Sequence, residues 1–144
     1  MDIVRKAIFL WDPISEVKKA IKLWSPGKCE SEKDCENSLY NFLHAHFDDV
    51  QITKEYGVGR TRADINVGDK VLIEIKKDLQ TKAQKDRLIG QLEDYMKWTG
   101  ATIILLTGET DPNLKKELDQ YAKDRGSFRT FYDPAFHVIE KKLG

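Results

Sequence analysis

Residues 60–76 read RTRADINVGDKVLIEIK, and their alternation of apolar and polar side chains decides the fold. A three-residue turn at Gly68-Asp69-Lys70 predicts a β-hairpin with Val67 opposite Val71. A two-residue turn would shift the pairing by one and mix apolar with charged side chains, so the pattern rejects it. In the favoured register one face of the hairpin is wholly apolar and consists of Ala63, Ile65, Val67, Val71, Ile73 and Ile75.

The opposite face of this hairpin concentrates charge. Asp64 lies across from Glu74, at roughly 5 Å between Cβ atoms, and like charges so placed repel. Two such carboxylates and the backbone carbonyl of Ile75 are ligands that a hard divalent cation such as Mg²⁺ or Mn²⁺ prefers. Lys76 points to the same face, where its ammonium can hold a water molecule and meet the charge of a phosphate. The alternative is a solvated face on which Lys76 and Arg62 neutralise the acids.

The elements around the hairpin predict an α/β fold. Before it, Ser31 is expected to cap a helix that carries Glu36 beside its apolar stripe. After it, the pattern predicts a helix from about Thr81 to Trp98, an interior strand from Ala101 to Thr107 and a helix that opens at Asp111-Pro112. An antiparallel meander of strands at 50–56, 60–67 and 71–76 has turns at 57–59 and 68–70, and the tail is expected to add strands at 128–132 and 136–139.

Residues 1–28 are expected to form a helical extension to a main domain at residues 29–144. Two apolar stripes at helical spacing exceed what such an extension can bury against itself. They favour packing on the core or a homodimer interface. The first stripe consists of Ile3, Val4, Ala7, Ile8 and Trp11, and the second, which follows Asp12-Pro13, of Ile14, Val17, Ile21 and Trp24.

Composition limits the class of protein and of partner. The 24 basic and 24 acidic residues cancel, so any nucleic-acid site must be a local patch. Apolar runs such as residues 103–106 are far below the roughly 20 residues of a membrane helix, so no membrane partner is expected. The first residues do not resemble a signal peptide. Cys29 and Cys35 are too few for a disulfide scaffold, which favours a cytoplasmic protein.

The spacing Asp64-x9-Glu74-x-Lys76, within this order of elements, resembles the PD-(D/E)xK nuclease superfamily, which has the restriction-endonuclease-like fold. The resemblance covers about residues 29–142. Asp64 matches the acid of the family's second strand, and Glu74-Ile75-Lys76 matches its (D/E)-x-K. Glu36 matches the acid that many members carry on the first helix, and Ala63 stands where the family name has proline.

The helix after the catalytic strand extends this resemblance. Gln91 and Tyr95 resemble the Q-x-x-x-Y element of RecB-like branches. From the sequence alone, the inward-facing Gln91 either bonds to the sheet backbone or reaches the active site and DNA. Glu32, one turn before Glu36, competes with it for the same role.

The resemblance implies a nuclease that hydrolyses phosphodiester bonds in DNA with Mg²⁺ or Mn²⁺. Asp64 would bind one metal or bridge two, and Glu74 with the Ile75 carbonyl would complete the first metal site. Glu36 would hold a second metal or its waters. Lys76 would orient the attacking water, and Gln91 would position the substrate. The side chains expected at the nucleic acid are Arg60, Arg62, Tyr95, Lys82 and Lys85, the last two in a basic patch with Arg87.

Two alternatives stay open at this point. The first is a catalytically inactive nucleic-acid-binding or assembly module of the same fold. The second concerns the basic patch alone, because a solvated helix face also explains several lysines in succession.

Overall fold

The computed structural model describes residues 3–98, 100–126 and 135–143, which form a mixed five-stranded sheet with helices on both faces. The helices are α1 (Ile3–Trp11), α2 (Pro13–Leu23), α3 (Glu32–His46), α4 (Lys82–Tyr95) and α5 (Pro112–Gly126). The strands are β1 (Ile52–Val58), β2 (Thr61–Val67), β3 (Val71–Lys77), β4 (Ala101–Thr107) and β5 (Phe136–Lys141).

The sheet has the strand order β1-β2-β3-β4-β5. Strands β1 to β3 form the antiparallel meander, whereas β4 and β5 add in parallel to β3. The expected order of helix, meander, helix, strand and helix is therefore confirmed. The tail strand at 136–139 is also confirmed as β5, whereas the strand expected at 128–132 lies outside the described residues.

The turn between β2 and β3 has the three residues that the alternation predicts. Val67 pairs with Val71, and Gly68 and Asp69 both take positive φ angles, of 60° and 57°. Asn66 stabilises the turn, because its side chain donates to Asp69 Oδ1 at 2.8 Å and accepts from the Asp69 N–H at 3.1 Å. A short polar side chain thus fixes the register of the hairpin.

The turn between β1 and β2 differs from the expected 57–59. Gly57 still pairs with Arg62, and Val58 pairs with Thr61, so β1 continues to Val58. The turn is the two-residue Gly59-Arg60, where Gly59 supplies a positive φ of 61°.

Each face of the sheet has its own core, because side chains alternate along every strand. One cluster lies under α1, α2 and α3, and the other lies under α4 and α5. Neighbouring residues of β4 enter different clusters, Ile103 the first and Ile104 the second, as expected for a strand covered on both sides. Ala63 was expected on the face of Ile65 but belongs to the second cluster, and this prediction is wrong because the strand is irregular at Asp64, as described below.

The second N-terminal helix packs as its stripe predicts. Val17, Ile21 and Trp24 are buried in the first cluster with α3 and the sheet. Trp24 Nε1 also donates to Ser38 Oγ at 3.1 Å, which ties the end of α2 to α3.

The stripe of α1, in contrast, is not buried within the chain. Ile3 is 87% exposed and Trp11 is 91% exposed, whereas Phe9, outside the predicted stripe, is buried and packs on Phe47 at 5.3 Å between ring centroids. The prediction that this stripe packs on the core is therefore wrong, and the alternative, a homodimer interface, stays a prediction. In the described part of the chain, no helix has the length and apolar character to cross a membrane.

Candidate active site

The hairpin strands part at the two acids. The backbone pairing of β2 with β3 that runs from Val67 ends at Ile65 and Ile73. Beyond this pair the Asp64 side chain enters the gap, and its Oδ2 accepts a hydrogen bond from the Ile75 N–H at 2.7 Å. A side-chain bond thus replaces the next backbone pair and fixes the direction of the Asp64 carboxylate.

The backbone is also irregular on the other side of Asp64. The pairing of β1 with β2 joins Lys54 to Ile65 and Tyr56 to Ala63 but omits Glu55 and Asp64. Glu55 has a φ of 53°, which is a strained conformation for a side chain of this size. Strain of this kind concentrates at functional sites, because elsewhere it only lowers stability.

Glu74 is held by two donors of different kinds. Its Oε2 accepts from the Tyr95 hydroxyl at 2.8 Å, and its Oε1 lies 3.6 Å from the Lys76 ammonium. The Tyr95 hydroxyl also lies 3.1 Å from the Arg62 carbonyl oxygen. Helix α4 therefore holds an acid of β3 in place.

Burial perturbs both acids of the hairpin. It raises the pKa of Asp64 to about 8, with the negative charge of Glu74 as the second cause and the Ile75 N–H bond opposing the shift. Burial also raises the pKa of Glu74, although the Lys76 charge and the Tyr95 hydroxyl oppose this. Glu74 is buried and Asp64 is half-buried, and with so little compensating charge a cation between them would relieve their repulsion.

Helix α3 brings a third acid towards the pair. Glu36 is buried, and its charge contributes to the raised pKa of Asp64. The Lys33 ammonium lies 2.6 Å from Glu36 Oε2, an ion pair whose angles are not those of a hydrogen bond, and 2.8 Å from Glu55 Oε1. Lys33 thus links the helix to the strained residue of β1. Glu32, the competing acid, is exposed and accepts from the Lys77 N–H at 3.0 Å.

Gln91 is half-buried, and its Oε1 is buried without a hydrogen-bond partner among the described residues. Both expected roles of Gln91, a bond to the sheet backbone and a contact with the active site and DNA, stay predictions. The Tyr95 side chain is fully buried and bonded to Glu74, so its prediction as a nucleic-acid contact is wrong.

The expected basic residues separate into two groups. Arg60 and Arg62 are exposed on and beside β2, and Lys82 is exposed on α4 although it pairs with Asp86 at 2.9 Å. Lys85 is buried and pairs with Glu117 at 3.1 Å, which joins α4 to α5. The prediction that Lys85 lies in a surface patch is therefore wrong, because its side chain faces a neighbouring helix.

The donors of this site fit a hard divalent cation. Within the described ranges, no three His, Cys, Asp or Glu side chains form a group that would hold a metal ion. Mg²⁺, however, commonly takes only one or two carboxylates and completes its shell with waters and substrate phosphates. Asp64, Glu74 and the Ile75 carbonyl match that requirement, and the repulsion between the two acids favours a cation between them.

Comparison with known proteins places the chain in a family. The model of the "Domain of unknown function (DUF8371)" matches residues 9–107, which run from α1 to the end of β4. The chain belongs to the DUF8371 family. The matched residues include Asp64, Glu74 and Lys76.

Other comparisons give little beyond this. No curated protein matches the chain. A solved structure, that of Pyrococcus furiosus SfsA in complex with Ca²⁺, is similar with a TM-score of 0.45 and 14% sequence identity, over 76% of this chain and 55% of that chain. The DUF8371 chain thus spans about half the length of that protein.

Three features of the site were missed from the sequence. Lys33 has a local signal, because it stands one turn before Glu36 on α3. The bond from Tyr95 to Glu74 joins residues 21 apart, and the spacing of neither residue reveals it. Glu55 has no signal in the sequence, because its strain arises where β1 pairs with the irregular part of β2 at Asp64.

Proposed function

We propose that this protein is a divalent-metal-dependent nuclease that hydrolyses phosphodiester bonds in DNA. The observation that carries the proposal is the pair of half-buried Asp64 and buried Glu74, with Lys76 beside Glu74. A pair of acids that only strengthened the fold would be expected at the surface or fully paired, because burying charge is costly.

The residues suited to hold Mg²⁺ or Mn²⁺ are Asp64, Glu74 and the carbonyl of Ile75, with Glu36 available for a second metal or its waters. When bound, such a metal lowers the pKa of water and offsets charge that develops on the phosphate. The chain's own contribution is orientation. The Ile75 N–H holds Asp64, and the Tyr95 hydroxyl holds Glu74.

Lys76 is the group suited to act on the attacking water and on the phosphate. Its side chain is 18% exposed, so the ammonium lies at the boundary between the protein and solvent. Its contact with Glu74 at 3.6 Å is long enough to leave the ammonium free to donate to other oxygens. A lysine in this place can orient a water molecule and stabilise the oxygens of the transition state.

The substrate would be DNA that lies across the end of the hairpin where β2 and β3 part. Arg60, in the turn between β1 and β2, and Arg62 of β2 are exposed cations that would contact its phosphates. Gln91, with a buried oxygen that lacks a partner in the described part of the chain, would position the substrate.

Cleavage of supercoiled plasmid DNA with Mg²⁺, Mn²⁺ or a chelator tests the proposal. We expect metal-dependent nicking that Lys76→Met lowers by about two orders of magnitude or more, because the ammonium is lost while most of the stem remains. The matched control is Lys116→Met, an exposed lysine of α5, which should leave nicking unchanged. Plasmid binding without nicking at any metal concentration would refute the nuclease and favour the inactive nucleic-acid-binding module.

A further inference from the structure

A small cleft opens beside Lys76 at the carboxyl end of β3, between the first residues of α3 and of α4. Its cavity volume of about 100 Å³ equals that of about three water molecules, at about 30 Å³ each in the liquid. A single phosphate group fits this size. The cleft is lined by Glu32, Lys76, Lys77, Leu79, Gln84 and Arg87.

Three cations line the cleft, and their own partners differ. The Lys76 ammonium lies near Glu74, and the Lys77 ammonium is 2.7 Å from Asp78 Oδ2. Arg87 is exposed and has no ion pair or hydrogen bond within the described residues. Its guanidinium is the fork of donors that binds phosphate oxygens in pairs.

Gln84 presents a donor to the same cleft. Its Oε1 already accepts from the Gln80 N–H at 2.8 Å and from the Thr81 N–H at 3.0 Å. The amide group that remains is the NH₂, which only donates hydrogen bonds. The first turn of α4 adds the partial positive charge of a helix N-terminus.

Glu32 is the acid that opposes an anion in the cleft. One of its oxygens accepts from the Lys77 N–H at 3.0 Å, so the carboxylate is held at the backbone of β3. Lys76 and Lys77 lie beside Glu74 and Asp78, so the donors that remain for an anion in the cleft are the Arg87 guanidinium and the Gln84 amide.

We propose that this cleft is a phosphate subsite, which binds a phosphodiester of the substrate strand next to the one that is cut, with Arg87 as its main ligand. The inference rests on the proposed nuclease function, because Lys76 lines the cleft and also lies beside Glu74 of the acid pair. It names the backbone phosphate, and not a base, as the group that the protein recognises there.

Steady-state cleavage of a DNA duplex by wild type and Arg87→Gln tests this inference. Loss of a charge-assisted bond to phosphate should raise KM about tenfold or more and leave kcat within about twofold. The dependence of binding on salt should also fall by about one counterion. Lys116→Gln, which removes an exposed charge from α5, is the matched control and should change neither KM nor the dependence of binding on salt.

Substrates with one neutral methylphosphonate locate the contact. Wild type should lose affinity at one position near the cut, and Arg87→Gln should lose nothing further at that position, because the contact is already absent. Equal losses at every position in both proteins, or an unchanged KM for Arg87→Gln, would overturn the subsite.

Binding measured by fluorescence anisotropy in chelator separates the two proposals. A wild type that cuts DNA and an Arg87→Gln variant that binds and cuts equally well would overturn the subsite alone. A wild type that binds DNA through Arg87 but never cuts it would support the phosphate site and refute the nuclease. Absence of both binding and cleavage would overturn both proposals.

Discussion

Replacing Tyr95 with phenylalanine removes one oxygen atom from a fully buried ring and separates the role of that hydroxyl from the packing of α4 on the sheet. The hydroxyl donates to Glu74 Oε2 at 2.8 Å, so its loss leaves a buried carboxylate with one donor fewer. A hydrogen bond to a charged group contributes about 1.5–3 kcal/mol. The packing is kept because the phenylalanine ring has the same shape.

The expected consequence appears in stability and in metal affinity. A loss of about 2 kcal/mol lowers the melting temperature by roughly 4–8 °C for a domain of this size. The hydroxyl also opposes the raised pKa of Glu74, so its removal raises that pKa further and leaves less of the charged form to bind a cation. Residues that support a metal ligand typically change metal affinity by about 10–100-fold.

The assay is isothermal titration of Tyr95→Phe and wild type with Mn²⁺, together with thermal melts in chelator. The matched control is Tyr121→Phe, because the Tyr121 hydroxyl donates to the Glu93 carboxylate at 2.6 Å between α5 and α4. Tyr121→Phe should lose stability and keep its Mn²⁺ affinity. If Tyr95→Phe binds Mn²⁺ as tightly as wild type, Glu74 is not a metal ligand held by Tyr95, and the reasoning about this site is refuted.

Three further predictions follow from the same structure. Mn²⁺ should raise the melting temperature of wild type but not of Asp64→Asn, whereas Asp119→Asn on α5 should respond as wild type does; an equal rise in both would remove Asp64 from the metal site. In metal-free protein the folded state holds a proton on Asp64 that the unfolded chain releases above an ordinary pKa of 3.8, so stability should fall as the pH rises from about 4 to 8, and urea titrations of Asp64→Asn should show a smaller fall, because Glu74 still has a raised pKa. Full-length protein should be a dimer in light scattering at micromolar concentration, through the exposed face that includes Ile3 and Trp11, and a monomer throughout that range would contradict the dimer.

Much of the fold could be predicted because its signals are local. The three-residue turn follows from the alternation of Ile65 and Val67 with Ile73, since any other register mixes the two faces. The start of α4 is equally local, because Thr81 and Gln84 form a reciprocal capping box at the first turn. Patterns of this kind depend on residues a few positions apart.

The parts that could not be predicted depend on how separate elements meet. The apolar stripe of α1 correctly predicts a helix. A period of 3.6 residues does not show which face of the helix will pack on the core, and it is Phe9, outside the stripe, that packs on Phe47. The site shows the same limit. Asp64 and Glu74 could be paired from the register, whereas Lys33 and Glu55 meet only because α3 crosses beside an irregular strand.

The cost of this arrangement is the strongest argument that it serves a reaction. A regular hairpin would pair Asp64 with Glu74 through the backbone, but here the pairing ends at Ile65. Glu55 takes a strained backbone, Glu74 is buried and Asp64 half-buried, and the pKa values of both acids are raised. Each of these features lowers the stability of the protein alone, and their effects add at one place. A bound cation would offset the repulsion that they create, so the proposed metal at Asp64 and Glu74 would also stabilise the folded protein.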